Sequence, residues 1–161
     1  MVKLVDLSHQ WAIEIGRVFI AFGSIEYITH ECLRSVPRDA IYEATSKMLL
    51  APRIDLLLAL LASLRERKAI RLALLLRRAK ELAEHRNLIA HNPLGLDLYV
   101  TEEGEKTVRE SIRSLRNKDK VLTFAQLVEL RAQSESLVTE LFEAHAGLLE
   151  ELHEARNIEE Q

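Results

Sequence analysis

Three prolines set the main constraint on the fold, because they divide a chain whose apolar residues otherwise recur at helical spacing. Pro37, Pro52 and Pro93 stand where that periodicity is interrupted. A proline lacks the backbone N–H of a helical hydrogen bond and disfavours a helical conformation in the residue before it. The sequence therefore predicts several helices that end or restart near these points.

The first three helical regions follow from this division. We expect a long first helix, capped by Asp6 or Ser8 and ending near residue 35 before Pro37. A second helical region covers about residues 41–64, and Pro52 marks a break or a fresh start within it. A third helix covers about residues 66–91 and is stopped by the pair Asn92-Pro93.

The second half of the chain predicts a hairpin and a fourth helix. Residues 96–110 read LDLYVTEEGEKTVRE, in which two alternating stretches flank a polar turn that contains Gly104. Thr123 followed three residues later by Gln126 is a capping box, which predicts a helix from there to about residue 156. The expected fold class is all-α, a bundle of four to five helices with a small β-hairpin insertion.

Length and composition agree with one ordered domain over residues 1–161. Hydrophobic residues make up 48% and charged residues 29% of the chain, which is enough to form a packed core without disulfides. The single cysteine, Cys32, indicates a buried thiol in a reducing compartment. The longest apolar stretch, residues 54–64, is too short to cross a bilayer, and the first residues lack the layout of a secretory signal. We expect a cytoplasmic protein that does not insert into membranes.

Charge is distributed unevenly along the chain. The net charge of −3 argues mildly against a nucleic-acid partner, but residues 65–86 hold eight basic and three acidic side chains. Residues 140–161 hold seven acidic side chains and one basic one. Within the basic segment, four side chains recur near one stripe of the third helix, where they form either a track for phosphates or a solvated face: Arg67, Arg71, Arg78 and His85.

The end of the third helix, residues 83–95, reads AEHRNLIAHNPLG and collects polar side chains where the helix must stop. On an ideal helix Arg86 and His91 point about 140° apart, and Arg86 falls at the margin of the apolar stripe. A guanidinium there needs a carboxylate, a phosphate or a partner chain. Two copies around a twofold axis would bring Arg86 of one copy to His91 of the other, which predicts a dimeric site.

These two residue types provide the minimum for cleaving RNA without a metal. Histidine gains and loses a proton near neutral pH, and arginine binds phosphate through paired hydrogen bonds. A base can take the proton of the 2′-hydroxyl while fixed positive charge stabilises the phosphorane. The sequence lacks H-E-x-x-H spacing and a cysteine pair, so we expect no metal site and no cofactor.

The segment Arg86-Asn87-Leu88-Ile89-Ala90-His91 resembles the R-x(4–6)-H motif of HEPN domains, in the form with a polar residue directly after the arginine. The likeness covers nearly the whole chain, since the long first helix with Phe22-Gly23-Ser24-Ile25-Glu26-Tyr27, two central helices and a long final helix are similar to the HEPN bundle. The resemblance implies a homodimer and a metal-independent endoribonuclease of the toxin–antitoxin or defence type, which cleaves single-stranded RNA.

The resemblance also implies roles for individual residues. Arg86 would bind phosphate, His91 would act as general acid or base, and Asn87 would orient the substrate or His91. Glu26 matches an acidic position of the first helix and would pair with Arg86. Supporting residues near the substrate would be Arg78, His85 and Asn92. An antitoxin, nucleotidyltransferase-like or other, is implied as a partner.

A structural interpretation of the same residues remains open. Arg86 would then form a salt bridge with Glu26 or Glu84 that ties helices together, while His91 and Asn92 cap the end of the helix. Some HEPN proteins have lost cleavage and serve as binding modules. The alternative function is therefore a noncatalytic helical dimerisation or interaction module.

Overall fold

The computed structural model describes residues 4–35, 45, 47–64, 67–100 and 102–159. Over these residues the chain forms four helices and three strands, so the mainly helical fold that the sequence predicts is confirmed. The helices are α1 (Leu4–Ser35), α2 (Leu50–Ala62), α3 (Arg67–His91) and α4 (Phe124–Glu159), and the strands are β1 (Leu94–Val100), β2 (Lys106–Arg113) and β3 (Val121–Thr123).

The helix ends agree closely with the sequence pattern. Helix α1 ends at Ser35 as expected, but it begins at Leu4, so the prediction that Asp6 or Ser8 caps it is wrong. Helix α2 begins at Leu50, so Pro52 lies in its first turn, where the backbone N–H groups have no partner within the helix. The fresh start near this proline is therefore confirmed. Pro37 and residues 41–44 of the predicted second region lie outside the described residues.

The capping box at the start of α4 is formed. The backbone N–H of Thr123 donates to Oε1 of Gln126 at 2.8 Å, and the N–H of Gln126 donates to Oγ1 of Thr123 at 3.3 Å. This reciprocal pair satisfies two backbone donors that the helix itself leaves free. Helix α4 consequently begins directly after strand β3.

The predicted hairpin is present and belongs to a slightly larger sheet. Strands β1 and β2 pair antiparallel, with Leu98 opposite Val108, and β3 adds a short third strand beside β2. Gly104 adopts a φ of +82° in the connecting turn, a conformation that favours glycine. The indole Nε1 of Trp11 donates to Oε2 of Glu110 at 2.7 Å, which joins the sheet to α1.

The three long helices run in alternating directions through the bundle. Helix α1 is parallel to α4, because Trp11 packs on Phe124 near both N-termini and Tyr27 contacts Phe142 further along. Helix α3 is antiparallel to α4, because Lys68 pairs with Glu150 and Arg78 pairs with Glu140. The core lies between the helices and includes the fully buried Val18, Ile25, Ile54, Leu57, Leu72, Leu76, Leu137 and Leu141.

Cys32 is buried in this core, as its sequence context predicts. Burial raises the pKa of its thiol to about 12, since the surroundings disfavour a thiolate. The side chain therefore behaves as a small apolar group at neutral pH.

A buried arginine joins α2 to α1. The side chain of Arg53 is 4% exposed, and its guanidinium donates to the hydroxyl of Thr29 at 3.0 Å, the carbonyl of Glu26 at 3.2 Å and the carbonyl of Met48 at 2.5 Å. Hydrogen bonds from a charged donor in a buried place are among the stronger ones. This contact fixes the start of α2 against the middle of α1.

The Arg53→Met substitution tests that role. Methionine fills a similar length but leaves two carbonyls and a hydroxyl without their donor, so we expect a loss of about 2–4 kcal/mol in the free energy of unfolding. Urea unfolding followed by circular dichroism measures it. Arg34→Met, at an exposed arginine of α1, is the control and should change stability by less than about 0.5 kcal/mol. Equal effects would contradict the assigned role.

Two histidines make the stability of the bundle sensitive to mild acid. Burial lowers the pKa of His145, opposed by Glu31, and burial followed by the charge of Arg53 lowers the pKa of His30. Each imidazole thus resists protonation in the folded chain more than in the unfolded chain. The associated stability is present above a pH of about 6.5, the unfolded value, and is lost as the pH falls through the lowered folded pKa.

We therefore expect thermal stability to fall between pH 6.5 and pH 5, above the range in which carboxylates titrate. The His30→Asn/His145→Asn variant should show a flatter pH dependence of Tm over that interval. His9→Asn, at an exposed histidine of α1, is the matched control and should keep the wild-type slope. A double variant with an unchanged slope would contradict this explanation.

Candidate functional site

Arg86 of α3 faces α1 and is held by three of its side chains. Nη2 donates to Oε1 of Glu26 at 2.5 Å, as the sequence analysis expected. The guanidinium carbon lies 5.3 Å from the ring centroid of Phe22 and 6.0 Å from that of Phe19, both within reach of a cation–π interaction. The arginine side chain is 20% exposed. The motif arginine is therefore fixed in position and partly open to solvent.

The remaining donors of Arg86 differ in their environment. Nη1 donates to Oδ1 of the neighbouring Asn87 at 3.2 Å. Nε is buried and has no hydrogen-bond partner among the described residues. A buried donor without an acceptor is unfavourable. The guanidinium thus retains a donor that none of the described residues uses.

His91 is the last residue of α3 and is exposed. The next residue, Asn92, ends the helix: its Nδ2 donates to the carbonyl of Leu88 at 2.7 Å, and its Oδ1 accepts the N–H of Leu115 at 2.8 Å. Asn92 therefore fixes the exit of the chain toward the sheet. This leaves the His91 imidazole facing solvent, where a substrate or a partner can reach it.

The two motif residues lie at different levels of α3. Five residues correspond to a rise of about 7.5 Å and a rotation of about 140° net. Because α3 runs antiparallel to α4 and α4 runs parallel to α1, α3 is antiparallel to α1. His91 consequently lies beyond Arg86 toward the N-terminal half of α1.

The predicted basic stripe faces α4. Arg78 pairs with Glu140 at 3.1 Å and Arg71 pairs with Glu143 at 3.6 Å. His85 lines a pocket of about 210 Å³ with Gln126, Glu129 and Gln133 of α4. Arg78 and His85 are therefore not brought together with Arg86, which contacts α1. The basic and acidic segments of the sequence largely meet each other in the bundle.

The order of the charged residues along the sequence indicates this pairing, although the basic and acidic segments taken separately do not. Bases at positions 68, 71 and 78 meet acids at positions 150, 143 and 140, so the partners occur in reverse order along the chain. That order is typical of antiparallel helices. Glu84, the other proposed partner of Arg86, instead lies 3.7 Å from Nζ of Lys120.

Two aromatic neighbours of Arg86 were also missed. Phe19 and Phe22 precede Glu26 by seven and four residues, so the three side chains form a ridge along α1. Phe22 is buried and Phe19 is 39% exposed. Aromatic side chains four and seven residues ahead of a helical carboxylate would have indicated a platform for a cation.

Two structural searches give negative findings for the residues described. None of the helices there has a segment with the length and hydropathy needed to pass through a membrane. Over the same part of the chain, no three His, Cys, Asp or Glu side chains converge as metal ligands would.

The energetic link between Arg86 and Glu26 can be measured by a double-mutant cycle. Because this pair is partly buried and stacked on aromatic rings, we expect a coupling of about 1 kcal/mol between Arg86→Ala and Glu26→Ala in the free energy of unfolding. Lys120 and Glu84, an exposed pair, form the control cycle, for which we expect coupling near zero. Indistinguishable couplings would show that Glu26 does not hold Arg86 in solution.

Comparisons with protein-family models, curated proteins and solved structures found no match for the chain. The motif and the geometry around Arg86 and His91 are therefore the features that bear on function.

Proposed function

We propose that the chain is a metal-independent endoribonuclease of the HEPN type that cleaves single-stranded RNA at a site shared by two copies. The observation that carries the proposal is the placement of Arg86, which is oriented by Glu26 and Asn87 near the end of a helix that terminates in the exposed His91. The resemblance of residues 86–91 to the R-x(4–6)-H motif supports phosphate binding by Arg86 and acid–base catalysis by His91.

The proposed reaction needs only groups that these residues supply. The 2′-hydroxyl of the RNA attacks the adjacent phosphorus, forming a new P–O bond while the bond to the 5′-oxygen breaks. An imidazole removes the hydroxyl proton, and a second protonated imidazole donates a proton to the leaving 5′-oxygen. The Arg86 guanidinium stabilises the charge on the phosphorane oxygens. The products are a 2′,3′-cyclic phosphate and a 5′-hydroxyl.

One copy of the chain supplies only part of this chemistry. Arg86 and His91 of one protomer diverge by about 140°, and one His91 cannot act as base and acid on opposite sides of the same phosphate. A homodimer provides two imidazoles and two guanidiniums in one cleft. We accordingly assign Asn87 the role of orienting Arg86, with which it shares a hydrogen bond of 3.2 Å.

The biological setting is proposed from the resemblance. A toxin or defence effector in the cytoplasm that cuts RNA needs control, and an antitoxin, nucleotidyltransferase-like or other, is the partner that the family implies. Such a partner would cover the Arg86 and His91 cleft or hold Glu26 on Arg86.

A second candidate function is a noncatalytic helical interaction module. It is favoured by the contact between Arg86 and Glu26, since a guanidinium bonded to a carboxylate at 2.5 Å already has a structural partner. The pairing of basic α3 side chains with α4 also reduces the positive charge available to RNA.

Incubation of the pure protein with single-stranded RNA in EDTA separates these functions. We expect wild type to release fragments with 2′,3′-cyclic phosphate ends. His91→Ala should reduce the cleavage rate at least about 100-fold through loss of a general acid or base, and Arg86→Ala by a similar factor through loss of charge stabilisation on the phosphorane. Fragment ends and rates are measured by gel electrophoresis and mass spectrometry.

His85→Ala is the matched control, because His85 lies on the same helix but faces the pocket beside α4. This variant should keep wild-type cleavage. Absence of cleavage in wild type, or equal activity in all variants, would contradict the nuclease proposal. A loss of thermal stability in Arg86→Ala without any RNA cleavage would then favour the interaction module.

A further inference from the structure

The outer face of α1 carries a largely exposed apolar stripe, which among the described residues is touched by Phe142 of α4 at the Tyr27 end. Ile20 is 73% exposed, Tyr27 56% and Ile13 48%. Gly16 and Gly23 lie between them, so the five positions follow one another at alternating intervals of three and four residues. We call this stripe the α1 seam. Its spacing is that of the narrow contact line between two helices of a coiled coil.

Over residues 9–29, which include the whole seam, the charged side chains of α1 are directed to other helices. Between residues 9 and 29 the chain has three charged side chains. Arg17 pairs with Glu135 at 2.8 Å, Glu14 pairs with Arg131 at 2.9 Å, and Glu26 pairs with Arg86. The seam itself thus presents no charge, which is unusual on the exposed face of a chain with 29% charged residues.

The two glycines have no explanation within one protomer. A Cβ atom added at Gly16 or Gly23 would meet no atom within 4 Å among the described residues. Glycine is unfavourable in the interior of a helix relative to alanine. Close approach by another helix explains both positions, because absent side chains let two backbones come together.

We propose that the α1 seam packs antiparallel against the same seam of a second copy, and that this pairing completes the RNA site. The inference rests on the proposed function for its second half. A twofold contact is self-complementary, so it brings each group against the same surface of the other copy. The uncharged seam allows this without like-charge repulsion, and its large and small residues can alternate across the interface.

Size complementarity restricts the register. In an antiparallel pair, Ile20 can face Gly16 or Gly23 of the other copy, so that a large side chain meets an absent one. The twofold axis passes midway between paired positions, hence at the level of residues 18–22 of α1. Phe19 and Phe22, on which Arg86 stacks, occupy this same level. The pairing therefore sets both Arg86 side chains at the level of the axis, with each His91 about 7.5 Å further along α3.

A charge placed in the seam tests the pairing. Ile20→Glu should leave the fold intact because the side chain is exposed, yet it should raise the Kd of dimerisation at least 100-fold by opposing two carboxylates near the axis. Ile70→Glu is the matched control, since Ile70 of α3 is 59% exposed and lies outside the seam. Light scattering over a concentration series measures Kd, and circular dichroism verifies folding.

Substitution of both glycines by alanine distinguishes an effect on the dimer interface, measured as Kd, from an effect on the stability of one protomer, measured as Tm. In the monomeric Ile20→Glu background, Gly16→Ala/Gly23→Ala should raise Tm, because alanine favours the helix and has free space. In the wild-type background the same pair should raise the dimer Kd at least tenfold. A purely local role of the glycines would change Tm without changing Kd.

Cleavage of RNA by the same variants tests the composite site. Loss of dimer together with loss of cleavage in Ile20→Glu, with both retained in Ile70→Glu, supports the proposal. A monomeric wild type, a dimeric Ile20→Glu or undiminished cleavage by monomeric Ile20→Glu would overturn it. If wild type dimerises through the seam but cuts no RNA, the nuclease proposal alone fails and the seam is supported as a dimer surface.

Discussion

The position of Glu26 governs both the bundle and the candidate site. Its carboxylate binds Arg86 of α3, while its backbone carbonyl accepts a hydrogen bond from the buried Arg53 of α2. One residue in the middle of α1 thereby sets the placement of two other helices. Any change in the tilt of α1 would move the motif arginine as well as the start of α2. The packing of the helices and the position of Arg86 therefore both depend on the contacts of Glu26.

The pair formed by Glu26 and Arg86 also decides how the site can act. A salt bridge with a 41% exposed carboxylate contributes only about 1 kcal/mol, since water competes for the carboxylate. A phosphate offers the same guanidinium two negatively charged oxygens and bidentate geometry. Because the pair provides so little stabilisation, a substrate phosphate can replace the Glu26 carboxylate as the partner of Arg86. Phe19 and Phe22 would keep the guanidinium in place during such an exchange, because stacking does not depend on the carboxylate.

The sequence predicted those features that depend on local chemistry. Prolines and the capping box at Thr123 located helix ends, and the alternation of residues 96–110 located the hairpin, whereas the capping signals at Asp6 and Ser8 missed the start of α1. The contact of Arg86 with Glu26 was expected from a resemblance, and Asn92 as a helix end from its place before Pro93. Features that depend on residues distant in the sequence were missed. Strand β3 has only three residues, too few to show an alternating pattern. No feature of the sequence next to Arg53 indicates that its side chain is buried. The meeting of the basic and acidic segments required the direction of α3 relative to α4.

The surface of α1 follows from the same distribution of charge. Its carboxylates and its arginine beside the seam are used in contacts with α3 and α4, so the opposite face of the helix is left with isoleucine, tyrosine and glycine. A protomer alone gains nothing from glycines at such positions. In the proposed dimer, a pair of protomers would gain a close backbone contact, at the level where Arg86 stacks on α1. In the proposed dimer, an arginine at the edge of a core, two uncharged helix faces and a histidine at a helix end would be parts of one arrangement, in which a second copy supplies what each chain lacks.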